Sequence, residues 1–360
     1  MMRQLLATLF FIVCSQTMHS QVISGYIYDE LENKPLEGAF VYLDGTTINA
    51  STDDKGHFTL NPGKTYNVPL IVTYTGFENF ILENPFSYTK PVKVLMRMSS
   101  IYLDEVVINK NFPFTRRQML NAFREQFLGT TSAGRSCKIL NEDDIKLRYN
   151  LSTNVFTASC AVPIRIQNKK LEYNIAFSLI DFQVAYSMQS LLSENVRRSF
   201  YAGTTAFTDV SKERSADKKR KKAYLGSTVH LMKTMASNTW AQEKFRLYEG
   251  SWQADPNQCF TITDTLDVKK ITVITDTTKT PAISFNQIGT GNSKTVKFKK
   301  PDKYSVLYDG KEQSSFELSN GRIYIDKNGL FTPIQEITFG GYMSGLKAGD
   351  LLPADYIYEP

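Results

Sequence analysis

The residues best suited to chemistry are few. Beyond residue 20 of the 360-residue chain there are two histidines, His57 and His230. A zinc peptidase needs a His-x-x-Glu pair and a distant third ligand, so that the metal is held while a bound water attacks. Three residues after His57 stands Leu60, and three after His230 stands Lys233, so neither histidine opens that motif. His57 borders the turn Asp53-Asp54-Lys55-Gly56 and reads as a surface turn residue. His230 falls in a helical pattern, where a Ser-His-Asp or Cys-His relay would use it as base. No Gly-x-Ser-x-Gly elbow supplies a nucleophile. His230 therefore reads as a hydrogen-bonded structural histidine.

Paired carboxylates for glycoside hydrolysis are defined by their separation in space, which a sequence does not carry. Asp143, Asp144 and Asp181 are available acids, each as well explained by a turn or a strand edge. Asp53 and Asp54 lack the further oxygen ligands and the spacing of a calcium loop. Gly289-Thr290-Gly291-Asn292-Ser293-Lys294 lacks the Gly-Lys-Ser/Thr ending of a phosphate loop and lies between β-runs, so it reads as a hairpin. No Cys-x-x-Cys or Cys/His cluster has zinc spacing. The sequence thus assigns no catalytic, cofactor-binding or metal residue, and implies no cofactor.

The elements that would position any site divide the chain. Residues 1–20 carry an early cation, Arg3, an apolar stretch Leu5–Cys14, and then small polar residues. This is the layout of a secretory signal peptide, with cleavage expected after Ser20. The stretch is too short to span a bilayer, which takes about 20 apolar residues. A lipid anchor on Cys14 and a retained N-terminal anchor are the alternatives. Export permits a disulfide among Cys137, Cys160 and Cys259, with one thiol left over, and Cys137–Cys160 is the expected pair. The net charge of +6 owes much to one run, KERSADKKRKK at Lys212–Lys222, which reads as a solvated face. No aromatic-interleaved motif accompanies it, so nucleic acid is not an expected partner.

With 42% hydrophobic residues the chain can bury a large core, and its length suggests two domains. Val22–Tyr28, Ala39–Leu43, Thr46–Thr52, His57–Leu60, Leu70–Thr75, Asn79–Leu82 and Val92–Met96 read as short strands. Asp44-Gly45 and the Asp53–Gly56 turn punctuate them, and Phe58 and Leu60 fall on one face by period-2 alternation. Such strands argue an antiparallel β-sandwich. Ile101–Ile108 reads as a closing strand. A helix then opens at the capping box Thr115–Gln118, carries Met119, Phe123 and Phe127 as a core stripe, and stops at Gly129. Beyond it the signals are again mostly β: Ile145–Tyr149, Phe156–Ile166, Tyr173–Tyr186, Cys259–Thr263, Ile271–Thr275, Thr295–Lys299, Lys303–Tyr308, Phe316–Leu318 and Arg322–Asp326. Asn328-Gly329 marks a tight hairpin, and a second helix is expected near Ser227 with Val229, Met232, Met235 and Ala236 inward.

Val22, Gly25 and Asp29, then Pro35–Thr46 (P-L-x-G-A-x-V-x-L-x-G-T) and Thr52–Leu60 (T-D-x-x-G-x-F-x-L), form a connected pattern. Together with Tyr74-Thr75-Gly76-Phe77, it resembles the carboxypeptidase regulatory-like domain, a transthyretin-like sandwich common at the N-termini of exported Bacteroidetes proteins. That fold accompanies peptidases as an accessory module, so the resemblance implies no peptidase chemistry. The segments VPIRIQNKKLEYNIAFSLIDF, YAGTTAFTDV and GLKAGDLLPADY resemble the second domain of Bacteroidetes envelope proteins that carry this module, which implies location and architecture only. Asp264-Thr265-Leu266 and Asp276-Thr277-Thr278 resemble the O-glycan acceptor motif of such exported proteins.

The expected organisation is a signal peptide at 1–20, a regulatory-like sandwich at 21–108, a linker at 109–115 and a mainly antiparallel α+β domain at 116–360. The expected function is non-catalytic: an exported scaffold, in the periplasm or at the outer-membrane surface, that binds an envelope protein or a glycan and associates peripherally with the outer membrane. A hydrolase acting on glycan or peptide through an acidic site in the larger domain is the alternative.

Overall fold

The computed structural model describes residues 22–99, 113–274 and 302–358. The expected signal peptide, the closing strand Ile101–Ile108, most of the linker, Gly289–Lys294, the strand Thr295–Lys299 and Thr277 lie outside the described residues. The chain divides into two compact units, with the break at Asp104/Glu105 and the short turn Gly45–Thr47 grouped with the second.

The N-terminal unit contains β1 (Ile23–Asp29), β2 (Phe40–Leu43), β3 (Asn49–Ser51), β4 (His57–Leu60), β5 (Leu70–Thr73), β6 (Phe80–Leu82) and β7 (Val92–Met96). They form two sheets, ordered β4-β1-β7 and β3-β2-β5-β6. All pairs are antiparallel except β1–β7, which run in the same direction. Ile27, Val41, Leu43, Phe58, Leu60, Leu70 and Val72 are each no more than 1% exposed and form the filling. Burying each contributes about 1.5–3 kcal/mol. The turns are closed by carboxylates: Asp29 Oδ1 accepts from the amides of Leu31 and Glu32, and Asp53 Oδ1 from those of Lys55 and His57. Gly56 has φ 72°, and a Cβ there would lie 2.4 Å from the Ile27 carbonyl oxygen, so both conformation and space demand glycine.

The larger unit has two cores. In the first, α1 (Arg116–Leu128) lies on a six-stranded sheet. Its strands are β8 (Cys137–Ile139), β9 (Ile145–Asn150), β10 (Val155–Cys160), β11 (Ile164–Asn168), β12 (Tyr173–Tyr186) and β13 (Val196–Asp209). The capping box closes as expected, with Thr115 Oγ1 accepting from the Gln118 amide and Gln118 Oε1 accepting from the Thr115 amide. Phe123 stacks on Phe127 at 5.0 Å, and Phe127 meets Phe177 edge-on at 4.9 Å. The spacing of four residues aligns both rings on one helix face.

The second core lies between helices and two more antiparallel sheets. Here α2 (Asp217–Tyr224) and α3 (Thr228–Ser237) precede β14 (Phe245–Glu249) and β15 (Trp252–Ala254). A single helical turn, α4 (Pro256–Cys259), leads into β16 (Phe260–Thr265) and β17 (Val268–Val273), followed by β18 (Asp302–Tyr308), β19 (Glu312–Leu318), β20 (Arg322–Asp326), β21 (Phe331–Thr332) and β22 (Ile337–Gly341). The sheets are ordered β15-β14-β18-β19-β22 and β16-β17-β20-β21. Leu231, Met232, Met235, Leu247, Ile271, Val306, Phe316, Ile323 and Ile325 are buried between them. After β22 the chain returns to α1. Thr131 Oγ1 donates to Asp350 Oδ1 at 2.7 Å, Asn168 Nδ2 donates to the Gly349 carbonyl at 2.9 Å, and a Cβ on Gly349 would lie 2.5 Å from Gly134 Cα. The segment around GLKAGDLLPADY therefore includes a structural clasp. Among the described residues, no helix is long and apolar enough to cross a membrane.

Four expectations are corrected. Cys137 and Cys160 are free thiols on β8 and β10, with β11 and β12 between them. Three strand steps of ~4.8 Å separate them by about 14 Å, whereas a disulfide needs Cα atoms within about 7 Å. The run Phe156–Ile166 is two strands, because Ala161–Pro163 interrupt the ladder. In α3 Met232 and Met235 are buried and Ala236 packs against the core as expected, but Val229 is only half-buried, and His230, Leu231 and Thr234 are fully buried instead. Within the basic run Arg220 points inward, although Lys212, Lys218, Lys219 and Lys222 are exposed.

Candidate functional site

His230 is 1% exposed and uses both ring nitrogens. Nδ1 accepts from the Gly226 amide at 3.0 Å, and Nε2 lies 2.9 Å from Glu243 Oε2. An acceptor role at Nδ1 requires the neutral ring protonated on Nε2, so Nε2 donates to Glu243. Tyr224 and Phe245 pack against the imidazole at 4.9 Å and Tyr308 at 5.4 Å. Burial pulls the imidazole below its ordinary range, and the bond to Glu243 opposes that pull. With both nitrogens engaged in this way, the ring joins α2 and α3 to β14 and β18.

Arg220 is equally enclosed. Its guanidinium lies 3.8 Å from the Tyr173 ring centroid and donates to both oxygens of Asp209, at 2.7 and 2.8 Å. It also donates to the carbonyls of Leu171 and Glu172. The Asp209 carboxyl is held well below its usual range, first by the hydrogen bond from Arg220.

The remaining sequence candidates lie apart from these. His57 packs against Tyr26 at 4.9 Å, with the rings tilted, beside its turn. Asp144 accepts from the Asn141 side-chain amide, next to Glu142, which is paired with Arg124. Asp181 accepts from Gln183 at the β12 bulge. Asp53 serves its turn, and Asp54 is exposed beside it. Thr265 is exposed at the β16–β17 hairpin end, next to Leu266, which is 99% exposed. Cys259 is buried, and burial pushes the Cys137 thiol up to about 12.

A different arrangement occupies the five-stranded sheet. Phe245 and Leu247 of β14 enter the core, so alternation sends Arg246 and Tyr248 to the other face. The register brings side chains into rows across the strands. Gln253, Tyr248, Ser305, Ser315 and Gly340 form one row, and Arg246, Leu307 and Gln313 form the next. A cleft of about 310 Å³ opens here, lined by Tyr248, Gly250, Ser251, Ser305, Leu307 and Gln313. Ser315 and Gly340 continue the row past this lining, and an added Cβ on Gly340 would lie 2.5 Å from Ser315 Oγ. Trp252 follows the Gly250–Ser251 turn, 82% exposed, and pairs with Glu249 on the opposite face. By contrast, the dent between Ser24 and Lys90 in the N-terminal unit holds about 50 Å³.

The polar lining of this cleft is unlike that around His230. Among the described residues, the side chains of Tyr248, Ser251, Ser305 and Gln313 make no hydrogen bond within the protein. They offer hydroxyl and amide groups beside an aromatic ring, and none carries a charge. Sequence reading missed the cleft because its residues come from β14, β18 and β19, and only the register gathers them. The one local signal was the alternation in FRLYE.

Comparison with known families fixes the first unit. Residues 23–108 match the model of the CarboxypepD_reg-like domain. The protein carries a carboxypeptidase regulatory-like domain. That domain fits a non-catalytic β-sandwich module, and it accounts for the strand-and-turn pattern from Ile23 onward. A search of curated proteins gave no match to the chain. The regulatory-like domain spans less than a third of the chain, so the larger unit must be read from its own geometry.

Proposed function

We propose that the protein is an exported, non-catalytic binding component of the cell envelope, whose larger unit holds a saccharide chain in the cleft on β14, β18 and β19. The regulatory-like domain serves as the companion module, presenting the larger unit to an envelope protein or glycan. The observation that carries this reading is the set of unengaged groups on Tyr248, Ser251, Ser305 and Gln313 around one cleft. Sugars present hydroxyls around a ring with apolar faces, and an aromatic side chain with neutral hydroxyl and amide neighbours matches both. The signal-peptide pattern of residues 1–20 supports export, which would bring the protein to envelope glycans.

The test is binding of envelope-derived oligosaccharides to the chain from residue 21, measured by calorimetry. The expected result is saturable binding that weakens at least tenfold in Tyr248→Ala, about 1.4 kcal/mol, with the oligosaccharide recovered intact. Turnover of the sugar, or binding indifferent to Tyr248, would refute the proposal. Fractionation that finds the uncut chain in the cytoplasm would refute the export arm.

A further inference from the structure

Arg246 stands one row from Tyr248 on the same face of the sheet, opposite Leu307 of the cleft lining. It is exposed, and among the described residues its guanidinium has no ion pair or hydrogen bond. Arg220, Arg124 and Arg97 are paired with Asp209, Glu142 and Glu30, whereas Arg246, like the exposed Arg197 and Arg198, makes no such pair among the described residues, and it stands beside the cleft. We infer that the cleft takes an acidic saccharide of the uronic-acid class, seated on Tyr248, Ser305 and Gln313, with its carboxylate received by Arg246. The inference rests on the saccharide reading above and names the class of sugar.

Charge around the cleft favours an anion. At the β14–β18 end, Lys244 and Lys311 both reach Asp309, at 3.3 and 3.1 Å, so one positive charge there is uncompensated in addition to Arg246. At the far end Lys303 and Glu317 face each other across β18 and β19 and cancel. Glu249 and Glu312 fall on the other face by alternation, since they share it with Leu247 and Phe316. Asp255 follows Gln253 in extended backbone and continues the register opposite Arg246, so one net positive charge borders a lining that is itself neutral. A guanidinium offers two parallel donors that match a carboxylate, which a lysine does not. An acidic peptide would also meet the charge. The row of hydroxyls on Tyr248 and Ser305, continued by the small residues Ser315 and Gly340, however, suits a ring-shaped polyol laid across the strands.

The experiment compares an oligogalacturonate with its own methyl ester, which keeps every ring and hydroxyl and replaces the charged carboxylate by a neutral ester. Both are titrated into the chain from residue 21, and into Arg246→Gln and Arg246→Lys variants. The expected result is that the acid binds about tenfold more tightly than the ester, as one bidentate charged pair supplies. Arg246→Gln then abolishes that preference, leaves ester binding unchanged and removes most of the salt dependence, while Arg246→Lys restores it only in part. Equal binding of acid and ester overturns the inference and leaves the saccharide reading standing. A preference that survives Arg246→Gln overturns the role of Arg246. Failure of acid, ester and neutral oligosaccharides alike overturns both readings, and so does tighter binding of a polyglutamate peptide than of the acid.

Discussion

Two regions of the larger unit, both built around β14 and β18, treat their polar groups in opposite ways. Around His230 the polar atoms answer one another: the Gly226 amide meets Nδ1, Glu243 meets Nε2, and the Ser227 hydroxyl accepts from the His230 amide. On the far side of the same strands, Tyr248, Ser305 and Gln313 answer nothing within the protein. Buried polar groups must be paired at home because an unpaired one costs about 1–3 kcal/mol. Groups at an open cleft are under no such demand and remain available to a ligand. The contrast teaches that a histidine in an aromatic setting is here part of the framework, and that neutral, unremarkable residues make the better site.

This difference can be broken or sharpened by substitution. The largest expected effect is in the first core, where Phe127→Ala removes a ring that is 0% exposed and costs about 3–5 kcal/mol, read from chemical denaturation. Loss of less than about 1 kcal/mol would mean that α1 is not seated on the sheet as described. Next, Asp209→Ala leaves the Arg220 charge uncompensated beneath α2. The expected cost is about 3 kcal/mol, at the low end for a buried pair because the Asp209 side chain is 44% exposed. Cooperative unfolding of both variants, at reduced denaturant midpoints, is the measurement.

The pH dependence tests His230 itself. Burial depresses its folded-state pKa below the ordinary 6.5, so the unfolded chain takes up the proton first as pH falls. The stability contributed by the neutral ring is complete above the unfolded value and declines as pH drops through and below it. A denaturation series from pH 8 to about pH 5 should therefore show falling stability that His230→Gln flattens. A slope that is unchanged in the variant would assign the effect to other groups. The smallest stability effect is expected for Tyr248→Ala, within about 0.5 kcal/mol, because the side chain is only partly covered and makes no hydrogen bond. A cost above about 2 kcal/mol would make Tyr248 part of the framework and erase the contrast.

Legibility from sequence followed the same divide. The sandwich was readable because its turns announce themselves: Asp44-Gly45 and the Asp53–Gly56 turn separate short alternating runs, and all seven strands fall where those runs lie. Helix α1 was readable from its cap, and β12 and β20 match their expected limits. Strand β13 escaped because its sequence, VRRSFYAGTTAFTD, breaks alternation with Gly203. A Cβ at that position would lie 2.3 Å from both the Phe177 ring and the Ser178 carbonyl, so the partner strand chose the residue. Strand β14 escaped because its alternation, FRLYE, runs over only five residues with no turn signal before it. Arg220 looked like one more solvated cation, since nothing local tells that Tyr173 and Asp209 wait for it. The cleft lay furthest out of reach, being a property of three strands in register.

The glycine clasp has a consequence for how the larger unit is made. The first helix cannot be closed over at its end until Gly349 arrives to lie against Gly134, more than two hundred residues later in the chain. Until that stretch has emerged, the Leu128 carbonyl lacks the neighbour that Gly349 brings, and the unit resembles a box whose latch is still inside the ribosome. A product cut short before Lys347 would thus keep all of the described strands and still be unfinished, an easy mark for proteases.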